Sequence, residues 1–299
     1  MKILKNLTKK AVKRRRSNWY IYLISFAATF VLLCLFVLAF RHVLFPSGNN
    51  NSNRGVYTPD AELDTSIMFM LGDSQGGVPS KFMLVNYRAA DEVIVLVPLN
   101  ADTRVTGTGR DTSSGSLTEI YSRGGAAVLT QSIAQTLSID IPYYVQFDRS
   151  SFTAFAADLG EFRVNVPFDF EGGGLSLKSG NHRLSAENLF LYMNFANFPQ
   201  AGANFKQVVT GSAIMNLINT NLRQKDAEVI QTTFTKMLNN ATTNITNSDF
   251  RTYQQALLYT SENSINPASY FLPGGAYVGE DFLLDSQSIL EIKSKFGLE

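Results

Sequence analysis

Few side chains in this 299-residue sequence stand where they could do chemistry. Gly72-Asp73-Ser74 directly follows the apolar run Ser66–Leu71. That placement has the flavour of a hydrolase site, but a serine nucleophile needs a base beside it. The two histidines, His42 and His182, offer none at a persuasive position. The plainer reading is a turn in which Asp73 bonds to its own backbone. Asp102 and Arg104 are better candidates, because they follow the run Glu92–Pro98 and sites in α/β sheets form at strand ends. The carboxylate could hold Mg²⁺ and the guanidinium could grip a phosphate. The same two residues also read as an exposed ion pair, contributing roughly 0.2–1 kcal/mol. Gly172–Gly174 lacks the strand-then-helix setting of a nucleotide loop. With one cysteine, Cys34, the sequence holds no disulfide framework and no Cys/His zinc pattern.

These residues need a scaffold, and the pattern around them supplies one. Ser66–Leu71, Phe82–Tyr87 and Glu92–Pro98 are strands, apolar on both faces and so suited to the interior of a sheet covered by helices. Leu117–Leu137 has helical spacing, Tyr143–Phe147 is a strand, and Ser151–Leu159 is a helix stopped by Gly160. Phe162–Val166 alternates like an edge strand, and Asp169–Leu184, with four glycines, is a loop and hairpin. Helices follow over Ala186–Met193 (capped by Ser185), Asn204–Arg223 and Lys225–Asn239. Another is capped by Ser248 or Asp249 and runs to Tyr259, and a last covers Ser286–Phe296. Pro273-Gly274-Gly275 marks a turn between short strands. Strands alternating with helices predict an α/β fold, a central mixed sheet flanked by helices, over residues 61–299.

The N-terminus has a different character. Residues 1–18 carry eight basic side chains and no acid, a tail suited to anionic headgroups. Trp19–Phe40 has 22 residues without a charge, about 33 Å of helix and enough to span a bilayer core. A cleaved signal peptide or a buried core helix are the rival readings, disfavoured by its length and flanks. The positive-inside rule puts 1–18 in the cytoplasm and the rest outside the membrane, with 41–60 as a flexible spacer. Beyond Arg41 the sequence has 17 basic residues against all 25 acids, a net charge of −8. Such a surface argues against a nucleic-acid partner. Aromatics are abundant, with 22 Phe and 12 Tyr. The dense segment Leu189–Phe205 reads as core or as an apolar tunnel for a lipid tail.

Over residues 64–223 the sequence resembles the LytR-CpsA-Psr family of envelope proteins. The resemblance rests on IMFMLGDSQ at Ile67–Gln75, FMLV, VPLNADTRV at Val97–Val105, the stretch Ile120–Pro167, and LSAENLFLY at Leu184–Tyr192. It implies transfer of a glycopolymer from a polyprenyl-pyrophosphate lipid to peptidoglycan or another acceptor of a bacterial envelope. It implies arginines on the pyrophosphate, carboxylates on Mg²⁺ and an apolar tunnel for the prenyl chain. The sequence departs from the family at the charged positions. Val78, Pro79, Ser80 and Lys81 stand for Arg-Ser-Asp-Thr, and Asn194 and Ala196 replace the arginines of Tyr-x-Arg-x-Arg. Ala101 precedes Asp102 and Thr103 where the family has Pro-Arg, and Lys206–Gln207 stands for Arg-Gln. By resemblance, then, Asp102 and Arg104 are expected to act in catalysis. Lys81, Arg123, Lys206, Gln207 and Tyr192 are expected to contact substrate, and Asp102 with Asp73 to hold Mg²⁺. The lost arginines point to an impaired transferase, or to a non-catalytic protein that binds polyprenyl phosphate or scaffolds envelope enzymes.

Overall fold

The computed structural model describes residues 57–110, 112–196, 198 and 204–298. The expected basic tail, spanning helix and most of the spacer lie outside them. Among the described residues no helix is long and apolar enough to cross a membrane.

The chain forms β1 (Thr65–Leu71), β2 (Lys81–Arg88), β3 (Val93–Leu99), β4 (Arg104–Thr106) and β5 (Ser114–Ser116), then α1 (Leu117–Leu137). Next come β6 (Tyr143–Phe147), α2 (Arg149–Ala157), β7 (Phe162–Val166), β8 (Phe170–Gly172), β9 (Leu175–Leu177) and β10 (Gly180–Leu184). Helices α3 (Ala186–Phe195), α4 (Phe205–Asn221) and α5 (Ala227–Asn240) follow. The chain ends with β11 (Thr242–Thr243), α6 (Asn247–Asn263), β12 (Ala268–Tyr270), β13 (Gly275–Val278), β14 (Asp281–Leu284) and α7 (Ser286–Lys295).

Six strands make one sheet in the order β11-β6-β1-β2-β3-β12. Strands β1 and β6 are parallel, as are β3 and β12, whereas β2 runs antiparallel to both its neighbours. The sheet is therefore mixed, and β1, β3, β6 and β12 all point their carboxyl ends the same way. Alternation along the strands splits the core in two. Met68, Met70, Leu84, Val95 and Val97 face α1 and α7, while Leu71, Met83, Tyr87, Ile94 and Leu96 face the helices on the opposite side. Both faces are buried, which explains why the strands read as continuous apolar runs.

Local chemistry sets several boundaries. Asp148, not a residue nearer Ser151, caps α2, with Ser151 closing a capping box. Thr246 caps α6 and Asp249 is its third residue, again as a capping box, so the helix begins earlier than expected. Strand β7 is not an edge of the main sheet; it pairs only with β10 in a separate ribbon. Helix α4 seats closely on β3, because a side chain at Gly211 would stand 2.7 Å from Pro98 Cγ. The aromatic segment around α3 fills the core rather than lining an open channel. Leu189, Phe190, Tyr192 and Met193 are buried, and the Phe198 ring packs edge-on against Phe205 at 4.5 Å.

Candidate functional site

A cleft of about 510 Å³ opens at the carboxyl ends of the parallel strands, the place where α/β sheets bind ligands. Its walls come from the loop before β2 with Lys81, the end of β3 with Asn100 and Asp102, and the first turns of α1 and α4, with Tyr277 of β13 on one side. Two helices thus point their N-termini toward it, and their exposed amides favour an anion there. Ser116 and Glu119 cap α1. Helix α4 is different: Asn204 makes no side-chain capping bond, and of the first three amides only that of Gln207 is taken, donating to the Asn204 carbonyl at 3.1 Å.

Lys81 and Lys206 bring positive charge to the same place. Burial pushes the Lys81 ammonium down to about 8; the Asp73 carboxylate pulls it back up and the Lys206 charge pushes it further down. Lys81 has one weak hydrogen bond, 3.3 Å to Ser80 Oγ, and neither lysine has an ion pair among the described residues. A half-buried lysine facing a second lysine is unfavourable unless an anion joins them. Gln207 lines the same cleft, and its amide oxygen is buried behind it without a partner, another polar group in want of a ligand.

Asp102 is exposed in the cleft and held from the side. The Tyr277 hydroxyl donates to Asp102 Oδ2 at 3.1 Å and accepts from Asn100 Nδ2 at 2.8 Å. The backbone amide of Phe282 donates to the Asp102 carbonyl at 2.9 Å, tying the β13–β14 hairpin to this loop. Tyr277 and Asn100 were not singled out from the sequence. Tyr277 lies 175 positions from Asp102, and nothing in the local pattern says that its hairpin folds onto the end of β3.

The other expected site residues are placed elsewhere. Arg104 leaves the cleft on β4 and pairs with Asp281 of β14. Arg123 lies on α1 over a neighbouring shallow depression. It donates to Ser113 O at 2.9 Å and Ser113 Oγ at 2.7 Å, and stands 3.7 Å from Glu119. Tyr192 is a core residue packed on Phe170, and burial pushes its hydroxyl up to about 12. Asp73 is outside the cleft lining and accepts a hydrogen bond from Asn194 Nδ2. Among the described residues no three His, Cys, Asp or Glu side chains gather as a metal site. Asp102 and the orphaned Gln207 oxygen are nonetheless hard oxygen donors on one cleft, which suits an ion that keeps its waters and binds mainly through substrate phosphates. A second, mainly apolar cavity of about 180 Å³ lies between the sheet and helices α4, α5 and α6, lined by Ile67, Val85, Ile218, Phe234 and Leu257, with Thr65, Tyr143 and Asp249 also in its wall.

The model of the LytR_cpsA_psr family matches residues 62–296. The chain belongs to this family. The polyisoprenyl-teichoic acid–peptidoglycan teichoic acid transferase TagU of Bacillus subtilis is 23% identical over 186 residues, 60% of either chain. This chain thus spans about three fifths of the length of that relative. The crystal structure of a Eubacterium siraeum protein described as a transcription regulator covers 81% of this chain and 94% of its own, at 22% identity and a TM-score of 0.74. B. subtilis TagV covers 78% and 95%, at 21% identity and 0.65. At these identities the structures establish the fold alone. Set in this LytR_cpsA_psr chain, the departures seen in the sequence acquire positions. Asn194, expected from the resemblance to stand for an arginine, bonds to Asp73, the carboxylate whose charge reaches Lys81.

Proposed function

We propose that this protein handles a polyprenyl-pyrophosphate-linked glycopolymer at the outer face of a bacterial membrane. It would act as a transferase to peptidoglycan or another envelope acceptor, anchored by one helix at Trp19–Phe40 with its N-terminus in the cytoplasm. One observation carries the reading: Lys81, Lys206 and the uncapped start of α4 converge with Asp102 on a single cleft. That is the equipment needed to hold a pyrophosphate and offset the charge that grows as its bridging bond breaks. TagU, the relative named above, transfers a polyisoprenyl-linked polymer, and its name supplies the substrate class. Lys81 and Lys206 take the phosphates, and Tyr277 keeps the Asp102 carboxylate turned to the cleft. Mg²⁺, held by Asp102 with the Gln207 oxygen, would add positive charge opposite the leaving phosphate. The apolar cavity along α4 is the space for part of a prenyl chain.

A second reading is favoured by the wiring of the arginines. Arg104 and Arg123 are engaged by other groups, and Asn194 and Ala196 carry no charge. With only two lysines on the phosphates, the protein would bind the lipid, or scaffold envelope enzymes, without turning it over. Full-length protein in non-ionic detergent, given a polyprenyl-pyrophosphate glycan, Mg²⁺ and a peptidoglycan fragment, decides between them. Release of polyprenyl phosphate that stops in Asp102→Ala supports the transferase. Saturable binding without release supports the binder, and absence of both rejects the site.

A further inference from the structure

A second basic cleft lies at the other end of α4. It is an open space of about 500 Å³ lined by Arg163 of β7 and Arg223 just past the helix, with the neutral side chains Asn219, Thr220, Gln224 and Asn266. Neither arginine has an acidic partner among the described residues. On the β7–β10 ribbon Arg163 stands directly opposite Arg183, both on the exposed face. Arg183 has only a long contact, 3.9 Å to an exposed Glu161. Like charges facing each other across two strands destabilise the pair. The next pair on that face is Asn165 with Asn181, joined at 3.0 Å. Two guanidiniums without an ion pair among the described residues, and a third held only by the long Glu161 contact, therefore gather on a region whose net charge is negative.

We propose that this cleft is a second anion site, where Arg163 and Arg223, with Arg183 beside them, hold phosphodiester groups of a polyanionic glycopolymer strand. The guanidinium fork suits phosphate oxygens, and the amides around it suit the sugar or polyol hydroxyls between phosphates. Helix α4 has 17 residues, so its two ends are about 25 Å apart. A single lipid phosphate in the lysine cleft does not reach the arginines, whereas an extended polymer does. The identity of the polymer rests on the function proposed above; the anion site itself rests on the arginines.

The test uses full-length protein in non-ionic detergent and a synthetic poly(glycerol phosphate), titrated by calorimetry at low salt. Farnesyl pyrophosphate, titrated on the same samples, reports on the lysine cleft separately. The Arg163→Gln/Arg223→Gln variant is expected to bind the polymer at least roughly tenfold more weakly and farnesyl pyrophosphate unchanged. The Lys81→Ala/Lys206→Ala variant is expected to do the reverse. Arg163→Gln alone should not lower Tm, because it relieves a like-charge pair; a purely structural arginine would lower it. Polymer binding equal to wild type in the double arginine variant overturns the proposal. So does inorganic phosphate binding the arginine cleft as tightly as the polymer, which would make it a site for a single small anion. Loss of binding to phosphatidylglycerol nanodiscs without loss of polymer binding would assign the arginines to a membrane surface and also overturn it. If farnesyl pyrophosphate fails to bind anywhere while the polymer pattern holds, the lysine-cleft reading falls and this one stands.

Discussion

Two groups of cations stand near the carboxyl end of the sheet, and they are wired in opposite ways. Lys81 and Lys206 line the cleft with no ion pair between them and any acid among the described residues. Arg104 and Arg123, as close to the sequence motifs, are engaged by Asp281 and by Ser113 and Glu119. The difference teaches that a charge is available to a ligand only if the fold gives it nothing else to hold. Pairing of this kind is set by tertiary structure and is invisible in a motif. Burial pushes a lysine without an ion pair toward losing its proton, as it does at Lys81, where the Lys206 charge adds to the push and Asp73 opposes it.

The contrast breaks most visibly if the lysines are not the binding charges. Each charge-assisted hydrogen bond to a phosphate contributes about 1.5–3 kcal/mol, so Lys81→Ala/Lys206→Ala should weaken farnesyl pyrophosphate binding by roughly a hundredfold or more. Calorimetry measures this directly, and a loss below tenfold would remove the lysines from the site.

A smaller effect sharpens the same point through pH. In the folded protein burial pushes the Lys81 ammonium down to about 8, below its ordinary value of 10.5. Pyrophosphate binding should weaken as pH rises through 8, and binding at or above that pH should take up a proton, seen as a dependence of the apparent enthalpy on the buffer. The stability of the empty protein should move the other way. The cost of burying a charged Lys81 is fully present below pH 8 and relieved between 8 and 10.5, where the unfolded chain still binds the proton. Denaturant melts should show the wild type gaining stability over that window and Lys81→Met not doing so.

The sequence made the framework legible because both faces of the sheet are buried. Continuous runs such as Val93–Leu99 have few other uses. Asp102 was legible for a related reason, since strand ends gather ligands. Lys81, Lys206 and Gln207 came from family resemblance, and the structure brings them to the Asp102 cleft. Arg104, read from the same strand end as Asp102, and Arg123, from the resemblance, stand apart, because their partners Asp281 and Ser113 carry no signal of contact. The short strand before the Pro273 turn was legible, but it is β12, two residues earlier, and nothing in three residues says that it completes the sheet beside β3. Tyr277 was hidden by distance along the chain. Residues 1–56, the clearest feature of the sequence, lie outside the described structure and are tested by neither fold nor site.

Tyr277 offers a graded test of how Asp102 is held. Tyr277→Phe keeps the ring in the cleft wall and removes one hydrogen bond, worth about 0.5–1.5 kcal/mol. Turnover, where the protein turns substrate over, should fall roughly twofold to tenfold in kcat with KM little changed. Tyr277→Ala should also raise KM, because it opens the wall. Equal effects of the two variants would mean that the hydroxyl does nothing and the ring does everything.

The smallest expected effect is the most exacting one for the comparison. Arg104 and Asp281 are both partly exposed, at 43% and 29% of their side-chain surface. An ion pair in that setting contributes about 0.2–1 kcal/mol. Arg104→Ala should therefore lower stability by no more than that in denaturant melts, and change farnesyl pyrophosphate binding by less than about twofold. The Asp281→Ala variant frees the guanidinium without removing it. If pairing is what keeps Arg104 from the phosphates, freeing it should strengthen binding. If Arg104→Ala instead costs as much as the loss of a lysine, the arginine must leave Asp281 when substrate arrives, and the division between engaged and available cations holds only for the empty protein.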